Sequence, residues 1–304
     1  MSGVSGDVLA THPGFRQFRQ VIPLAGFSGA AIALLRDGGG AQFVRKAATT
    51  PDLNGAMRMQ ADRQQWLRDR LAGMAHVPDI LCQGEIDGLY YFDMEFVPSR
   101  DANAYLATAS FKDVERFASS IEQLIGHLSQ SRLEGRQAHL TQSVITKLVD
   151  IDARTSGAFA DLLEPLHRLV ASSGGLVEPA PATLSHGDLT FENILVGANN
   201  ELWLIDPITS PADHYWFDLS KLFQECEGHW YLHRRKPLST GVVHWLRNRW
   251  FRAARDLAPD YAAWHYFMLA LTFARILPYA RTDEDVGLIV RRVQQFSSSA
   301  AQVL

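Results

Sequence analysis

The stretch from Leu184 to Asp218, LSHGDLTFENILVGANNELWLIDPITSPADHYWFD, constrains the fold of this chain more than any other. Two short apolar runs, Ile194-Leu195-Val196 and Leu202-Trp203-Leu204-Ile205, flank the turn Gly197-Ala198-Asn199-Asn200, a pattern that predicts a β-hairpin. Such a hairpin is expected to bring Asn193 and Asp206, at its two open ends, side by side. Upstream, His186-Gly187-Asp188 places a carboxylate in a loop just before the first strand. Mg²⁺ prefers a few hard oxygen ligands together with phosphate oxygens and water. An amide and a carboxylate beside a nucleotide suit it, so Asn193 and Asp206 are the candidate metal ligands. Asp188 is then the candidate acceptor for the proton of an attacking hydroxyl.

The order His-Gly-Asp, four residues, Asn, and an apolar strand ending in Ile205-Asp206-Pro207 resembles the catalytic core of the kinase-like aminoglycoside and choline phosphotransferases. These are distant relatives of the protein kinases, which carry His-Arg-Asp and Asp-Phe-Gly in the same places. The resemblance implies that Asp188 is the catalytic base and that Asn193 and Asp206 bind magnesium. By the same resemblance Asp218 braces the catalytic loop through its backbone, and His186 packs that loop. The implied fold is α+β: a two-lobed protein-kinase-like fold with a β-rich N-lobe, residues 1–97, and a mainly helical C-lobe, residues 98–304. The implied cofactors are ATP, with GTP as the alternative nucleotide, and Mg²⁺. The implied partner is a small-molecule hydroxyl acceptor.

Composition narrows the class. A hydrophobic content of 47% and a charged content of 20% over 304 residues describe an ordinary globular protein. A formal charge of −4 gives no overall pull towards nucleic acid or an anionic membrane. Cys82 and Cys226 are the only cysteines, so no disulfide framework or cysteine zinc site is supported. The N-terminus lacks the basic start and apolar core of a secretory signal, and no apolar run approaches the length of a membrane span. A cytoplasmic location is expected, with no nucleic-acid partner and no membrane insertion; the oligomeric state stays open.

Before Pro98 the pattern has a period of two. Gly26-Phe27-Ser28-Gly29 sits between two predicted strands, and its resemblance to the nucleotide loop of the aminoglycoside kinases points to Ser28 and Gly29 as phosphate contacts; the alternative is a plain hairpin turn. In the next strand, alternation puts Val44 and Lys46 on one face and Phe43 and Arg45 on the other. By resemblance Lys46 holds the nucleotide phosphates, with Arg45 as its rival. A helix is expected from Thr50-Pro51 to about Leu71. Where the family has a glutamate to pair with the lysine, this chain has Gln60, with Asp62 the nearest carboxylate. Gln60 would orient Lys46 through its amide oxygen. The segment ending Met94-Glu95-Phe96-Val97-Pro98 resembles the strand and hinge that receive adenine, through backbone groups of Glu95 and Val97.

After Pro98 the period becomes helical. Val114, Phe117, Ile121, Leu124, Ile125 and Leu128 form one stripe of a helix over 111–133. Further helices are expected over 139–154, 157–173, 241–257, 260–280 and 282–298, with the Pro/Ala run 179–182 as a loop. The C-terminal region is rich in aromatics and histidines, among them His214, His229, His233 and His265, each more often core than ligand. Scattered acidic residues tilt the acceptor towards a sugar or polyol over an aminoglycoside, and the looser similarity of Asp218-Leu219-Ser220-Lys221-Leu222 to polysaccharide-associated phosphotransferases points the same way; an aminoglycoside- or choline-type kinase is an alternative. The segment between Asp206 and Asp218 is too short for a protein-kinase activation loop. A nucleotide-binding pseudokinase acting as a regulatory module is the alternative from another class, and Gln60 is its support.

Overall fold

The computed structural model describes residues 6–18, 20–24, 29–71, 73–172, 176, 180–209 and 212–304. The chain divides into two compact units. One comprises Met1–Arg100 and Leu195–Thr209, the other Asp101–Ile194 and Ser210–Leu304.

The first unit is built on an antiparallel sheet. After the short helix α1 (Gly6–Thr11) come β1 (Val21–Pro23), β2 (Ala31–Arg36), β3 (Gln42–Ala47), helix α2 (Asn54–Arg68), β4 (Ile80–Ile86) and β5 (Leu89–Glu95). The strand order is β1-β2-β3-β5-β4, which makes β3 the centre of the sheet. The tight β4–β5 turn holds Asp87 at φ 52° and Gly88 at φ 76°, the paired left-handed geometry that matches strand twist. The two faces of β3 bury different residues. Val44 packs with Ile32, Phe92 and the inward side of α2, Met57 and Ala61. Phe43 packs with Leu9, Phe15 and Leu35 on the opposite face. Thr50 is extended and makes no side-chain cap bond; a single 3₁₀ turn over Pro51–Leu53 intervenes before α2 begins.

The second unit is mainly helical. The short strand β6 (Arg100–Asp101) spans the boundary, and α3 (Ala102–Leu106), α4 (Phe111–Gln130), β7 (Arg132–Ala138), α5 (Leu140–Arg154), α6 (Ala160–Ser172) and β8 (Ala180–Thr183) follow. The hairpin β9 (Ile194–Val196) and β10 (Leu202–Leu204) follows, and most of it belongs to the first unit. Helices α7 (Trp216–Cys226), α8 (Trp230–His233), α9 (Thr240–Leu257), α10 (Pro259–Ala274) and α11 (Asp283–Val303) complete the chain. The predicted stripe of α4 is buried, and Ser110 caps the helix by accepting from the Asp113 N–H. Helix α10 buries residues almost all round, from Tyr261 to Ala274, and packs against α11, α7 and α9.

Two expectations are corrected. Helix α4 stops at Gln130, and the run expected as a loop over 179–182 contains β8, which pairs antiparallel with β7 through Ala138–Ala180 and Gln137–Pro181. The β7 sequence, RLEGRQA, has no alternation to mark it, so this strand is set by its distant partner.

Candidate active site

The loop bearing Asp188 is fixed from below by α7. Asp218 is fully buried, and its two carboxylate oxygens accept the N–H groups of His186 (2.8 Å) and Gly187 (2.7 Å). Directing two successive N–H groups at one carboxylate requires a left-handed residue, and Gly187 supplies it at φ 88°. His186 is buried beneath the loop, its Nδ1 accepting the Asp188 N–H at 3.3 Å.

Asp188 is held at both oxygens. Oδ1 lies 3.0 Å from Nζ of Lys221 on α7, and Oδ2 accepts from Nδ2 of Asn193 at 2.9 Å. The same Asn193 nitrogen donates to the Asp188 carbonyl at 2.8 Å. That orientation leaves the Asn193 Oδ1 atom without a hydrogen bond among the described residues. Burial by itself would raise the Asp188 carboxyl, but Lys221, with Arg275 and His186 behind it, outweighs burial and holds the group below the usual carboxylate range. Asp188 is therefore ionised at neutral pH and oriented from two sides, as a group that receives a proton must be.

The first unit holds the other polar residues. Lys46 lies on the central strand, 1% exposed, with Nζ 3.0 Å from Oδ1 of Asp206. Asp206 follows β10 in a left-handed conformation, φ 57°, which few side chains other than Asn and Asp accept. The ion pair leaves its Oδ2 without a hydrogen bond among the described residues. Arg45 on the opposite face is committed elsewhere: its guanidinium is bidentate on Asp93 (2.7 Å at each contact), donates to the Gly14 carbonyl and lies over Tyr91.

The inner face of α2 is Met57, Ala61, Gln64 and Leu67, so Gln60 is only half-buried and Asp62 is exposed. The carboxylate that meets Lys46 is Asp206, 160 residues further along the chain, and among the described residues neither Gln60 nor Asp62 hydrogen-bonds or ion-pairs with Lys46. Gly29 is left-handed at φ 76°, and its carbonyl accepts from Thr49 Oγ1 at 2.8 Å. Ser28, with Gly26 and Phe27, lies outside the described residues. The Glu95 N–H is taken by the Asp79 carbonyl (2.9 Å), and the Val97 carbonyl accepts from Ser99 Oγ (3.0 Å).

The sequence reading singled out no role for Lys221, although it was legible as the residue three after Asp218, on the same face of a helix. Three of the C-terminal histidines are taken up in the protein's own packing. His233 meets Asp285 at 2.7 Å, His265 meets Glu227 at 2.8 Å, and His214 is buried. Among the described residues no cluster of three or more His, Cys, Asp or Glu side chains forms a ready metal cage. Mg²⁺ carried by a nucleotide needs few protein ligands and prefers hard oxygens; the Asn193 Oδ1 atom, and separately the Asp206 Oδ2 atom, is a donor of that type.

Residues 21–253 match the family model of the phosphotransferase enzyme family. The chain belongs to that family. Solved structures similar to this phosphotransferase share its kinase-like fold across nearly its whole length. A protein assigned as a fructosamine-3-kinase from Thermobifida fusca covers 99% of this chain and 100% of its own at 16% identity, with a TM-score of 0.58. The ADP-bound aminoglycoside phosphotransferase APH(2″)-Ib covers 98% of each chain at 12% identity, with a TM-score of 0.60. The amicoumacin kinase hAmiN, solved with AMP-PNP and Ca²⁺, covers 92% of this chain and 88% of its own at 13% identity, with a TM-score of 0.56. No curated protein matches the chain. Among the described residues no helix is long and apolar enough to cross a membrane.

Proposed function

We propose that this phosphotransferase moves the γ-phosphoryl group of ATP to a hydroxyl of a small molecule, a sugar or polyol. The observation that carries the reading is Asp188: an ionised carboxylate, clamped by Lys221 and Asn193 on a loop braced by Asp218. Asp188 orients the acceptor hydroxyl and takes its proton late, as suits a loose transition state in which positioning and electrostatics supply most of the catalysis. Lys46 and the Gly29 backbone, with Ser28 in the same loop, hold the nucleotide phosphates. Backbone groups of Glu95 and Val97 receive the base.

Asn193 and Asp206 are the ligands for Mg²⁺, which when bound neutralises charge on the phosphates. The nucleotides in the similar structures, ADP in one and AMP-PNP with Ca²⁺ in another, support a nucleotide donor and a divalent cation. A cytoplasmic location, where ATP is available, goes with this reading.

The test is mass-resolved product detection with ATP, Mg²⁺ and a panel of sugars, polyols, amino alcohols and aminoglycosides. A single phosphate added by the wild type to a sugar or polyol, and at least 10³-fold slower transfer by Asp188→Ala, is the expected result. Transfer that persists in Asp188→Ala at the wild-type rate refutes the assignment of the base. Nucleotide binding with no transfer to any acceptor refutes the activity.

A further inference from the structure

The catalytic loop is anchored at successive points along its length, within the second unit. Asp218 holds the N–H groups of His186 and Gly187, and Lys221 meets Asp188. Phe191 is fully buried with its ring against Phe117 and Trp250, and its carbonyl accepts the Ala102 N–H at 3.1 Å. Glu192, the next residue, is gripped from a distant part of the chain. Its Oε1 atom lies 3.0 Å from Nζ of Lys236 and 3.4 Å from the Arg234 guanidinium. Lys236 also approaches Asp101 at 3.7 Å.

Arg234 and Lys236 reach the same oxygen because the chain reverses between them. At the end of α8 the Arg235 N–H donates to the Leu232 carbonyl and the Lys236 N–H to the Tyr231 carbonyl, each at 2.9 Å. That pair of bonds needs a left-handed residue at the corner, where glycine is the usual choice. Here the corner is Arg235, at φ 54°. Helix α8 is also entered through a left-handed residue, His229 at φ 55°. Backbone held in this way without glycine is costly, and such cost collects where geometry has a use.

The grip on Glu192 is not explained by stability. Its partners are partly exposed, Lys236 and Asp101 at 28% and Glu192 at 25% of side-chain surface, and ion pairs of that kind stabilise a fold little. Its effect is positional. Asn193 follows Glu192, and its Nδ2 is already used on the carbonyl and carboxylate of Asp188. Where its Oδ1 stands therefore depends on how the backbone at 192 and 193 is held.

We propose that Lys236, assisted by Arg234, is a positioning residue for the metal-binding end of the catalytic loop: by holding Glu192 it fixes the backbone from which Asn193 presents Oδ1. This inference rests on the assignment of Asn193 as a ligand for Mg²⁺ made above, and adds the residues that set its place. Charge and position act with opposite signs here. Removing a cation beside the loop favours a bound metal by charge alone, whereas loss of position weakens it.

The test titrates Mn²⁺, read by its EPR signal, into the protein–ADP complex of wild type, Lys236→Met, Lys236→Arg, Glu192→Gln, the Glu192→Gln/Lys236→Met double variant, Arg235→Gly and Asn193→Ala. Calorimetry of ADP without metal and thermal melts accompany it. Lys236→Met is expected to weaken Mn²⁺ about tenfold, with metal-free ADP affinity within about twofold of wild type. The double variant is expected to be no weaker than Glu192→Gln, because the two residues act as one pair. Lys236→Arg, which keeps the cation, stays within about threefold. Arg235→Gly keeps the turn and both gripping cations and stays within about twofold. If Lys236→Met does not fold, Lys236→Gln takes its place.

Unchanged or tighter Mn²⁺ binding in Lys236→Met, while Asn193→Ala weakens it, removes this inference alone. So does an Arg235→Gly variant that loses as much as Lys236→Met, since net charge then accounts for the effect. Unchanged Mn²⁺ binding in Asn193→Ala removes the ligand assignment and this inference with it.

Discussion

Asp188 and Lys46 are each defined by one neighbour, and the two pairs respond differently to mutation. Burial would raise the Asp188 carboxyl, but Lys221, together with Arg275 and His186, holds it below the usual carboxylate range, so the base is lost only when the pH falls well below neutrality. Lys221→Met removes that cation and raises the Asp188 pKa. The acidic limb of the kcat profile then moves to higher pH, and kcat at neutral pH falls by about tenfold or more; a pH–rate series on the two enzymes measures both. Lys46 and Asp206 form an unequal pair, with the lysine side chain 1% exposed and the aspartate 31%. Asp206→Ala leaves a buried ammonium uncompensated and should cost about 3 kcal/mol in denaturant unfolding. Lys46→Met leaves a carboxylate that water can reach and should cost less than about 1 kcal/mol, while still weakening nucleotide binding. Equal losses in the two variants would refute this account of the pair.

Helix α7 is where electrostatics and the catalytic loop meet. Glu225 is pushed up to about 8 by burial and Glu192, with Lys221 and Arg234 opposing and Asp188 adding to the rise. Its folded value lies above that of an unfolded glutamate, so the native state holds a proton that the unfolded state has released. Stability therefore falls as the pH rises from about 5 towards 8, by on the order of 1 kcal/mol per pH unit from this group alone. Glu225→Gln removes that slope, so its stability relative to the wild type should grow across this window; urea titrations at several pH values read it directly.

How much of an element was visible beforehand depended on where its signal lay. The stripe of α4, the β4–β5 turn at Asp87-Gly88 and the Asp188–Asn193–Asp206 spacing are local patterns, written within a few turns of chain. Strands β7 and β8 are not, because Arg132–Ala138 is mostly polar without alternation and gains its conformation from residues over forty positions away. The partner of Lys46 was hidden for the same reason: helical counting pointed to Gln60, whereas the carboxylate arrives from beyond β10.

The division of the molecule does not follow the order of the chain. The segment Leu195–Thr209 belongs with Met1–Arg100. It is tied there by His76, whose N–H donates to the Leu202 carbonyl and whose carbonyl accepts from the Leu204 N–H, each at 2.8 Å. The His76 ring also stacks on Trp203 with centroids 4.7 Å apart. A fragment ending at residue 100 lacks this segment and leaves the surface that meets Leu202 and Leu204 open. It is expected to be protease-sensitive and without a cooperative melt, while the same fragment joined by a flexible linker to residues 195–209 should melt cooperatively. Cooperative unfolding of the shorter fragment would contradict this picture.

The stripe along α7 also limits how the protein can change over generations. Asp218, Lys221 and Glu225 keep their common direction only while the helix keeps its residue count. One inserted or deleted codon between them swings everything downstream by about 100° and separates the loop brace from the catalytic clamp in a single event. Exchange of the residue at 225 leaves both in place. Descendants of this gene should therefore tolerate exchange of the side chain at 225, while the length of α7 between Asp218 and Lys221 stays fixed.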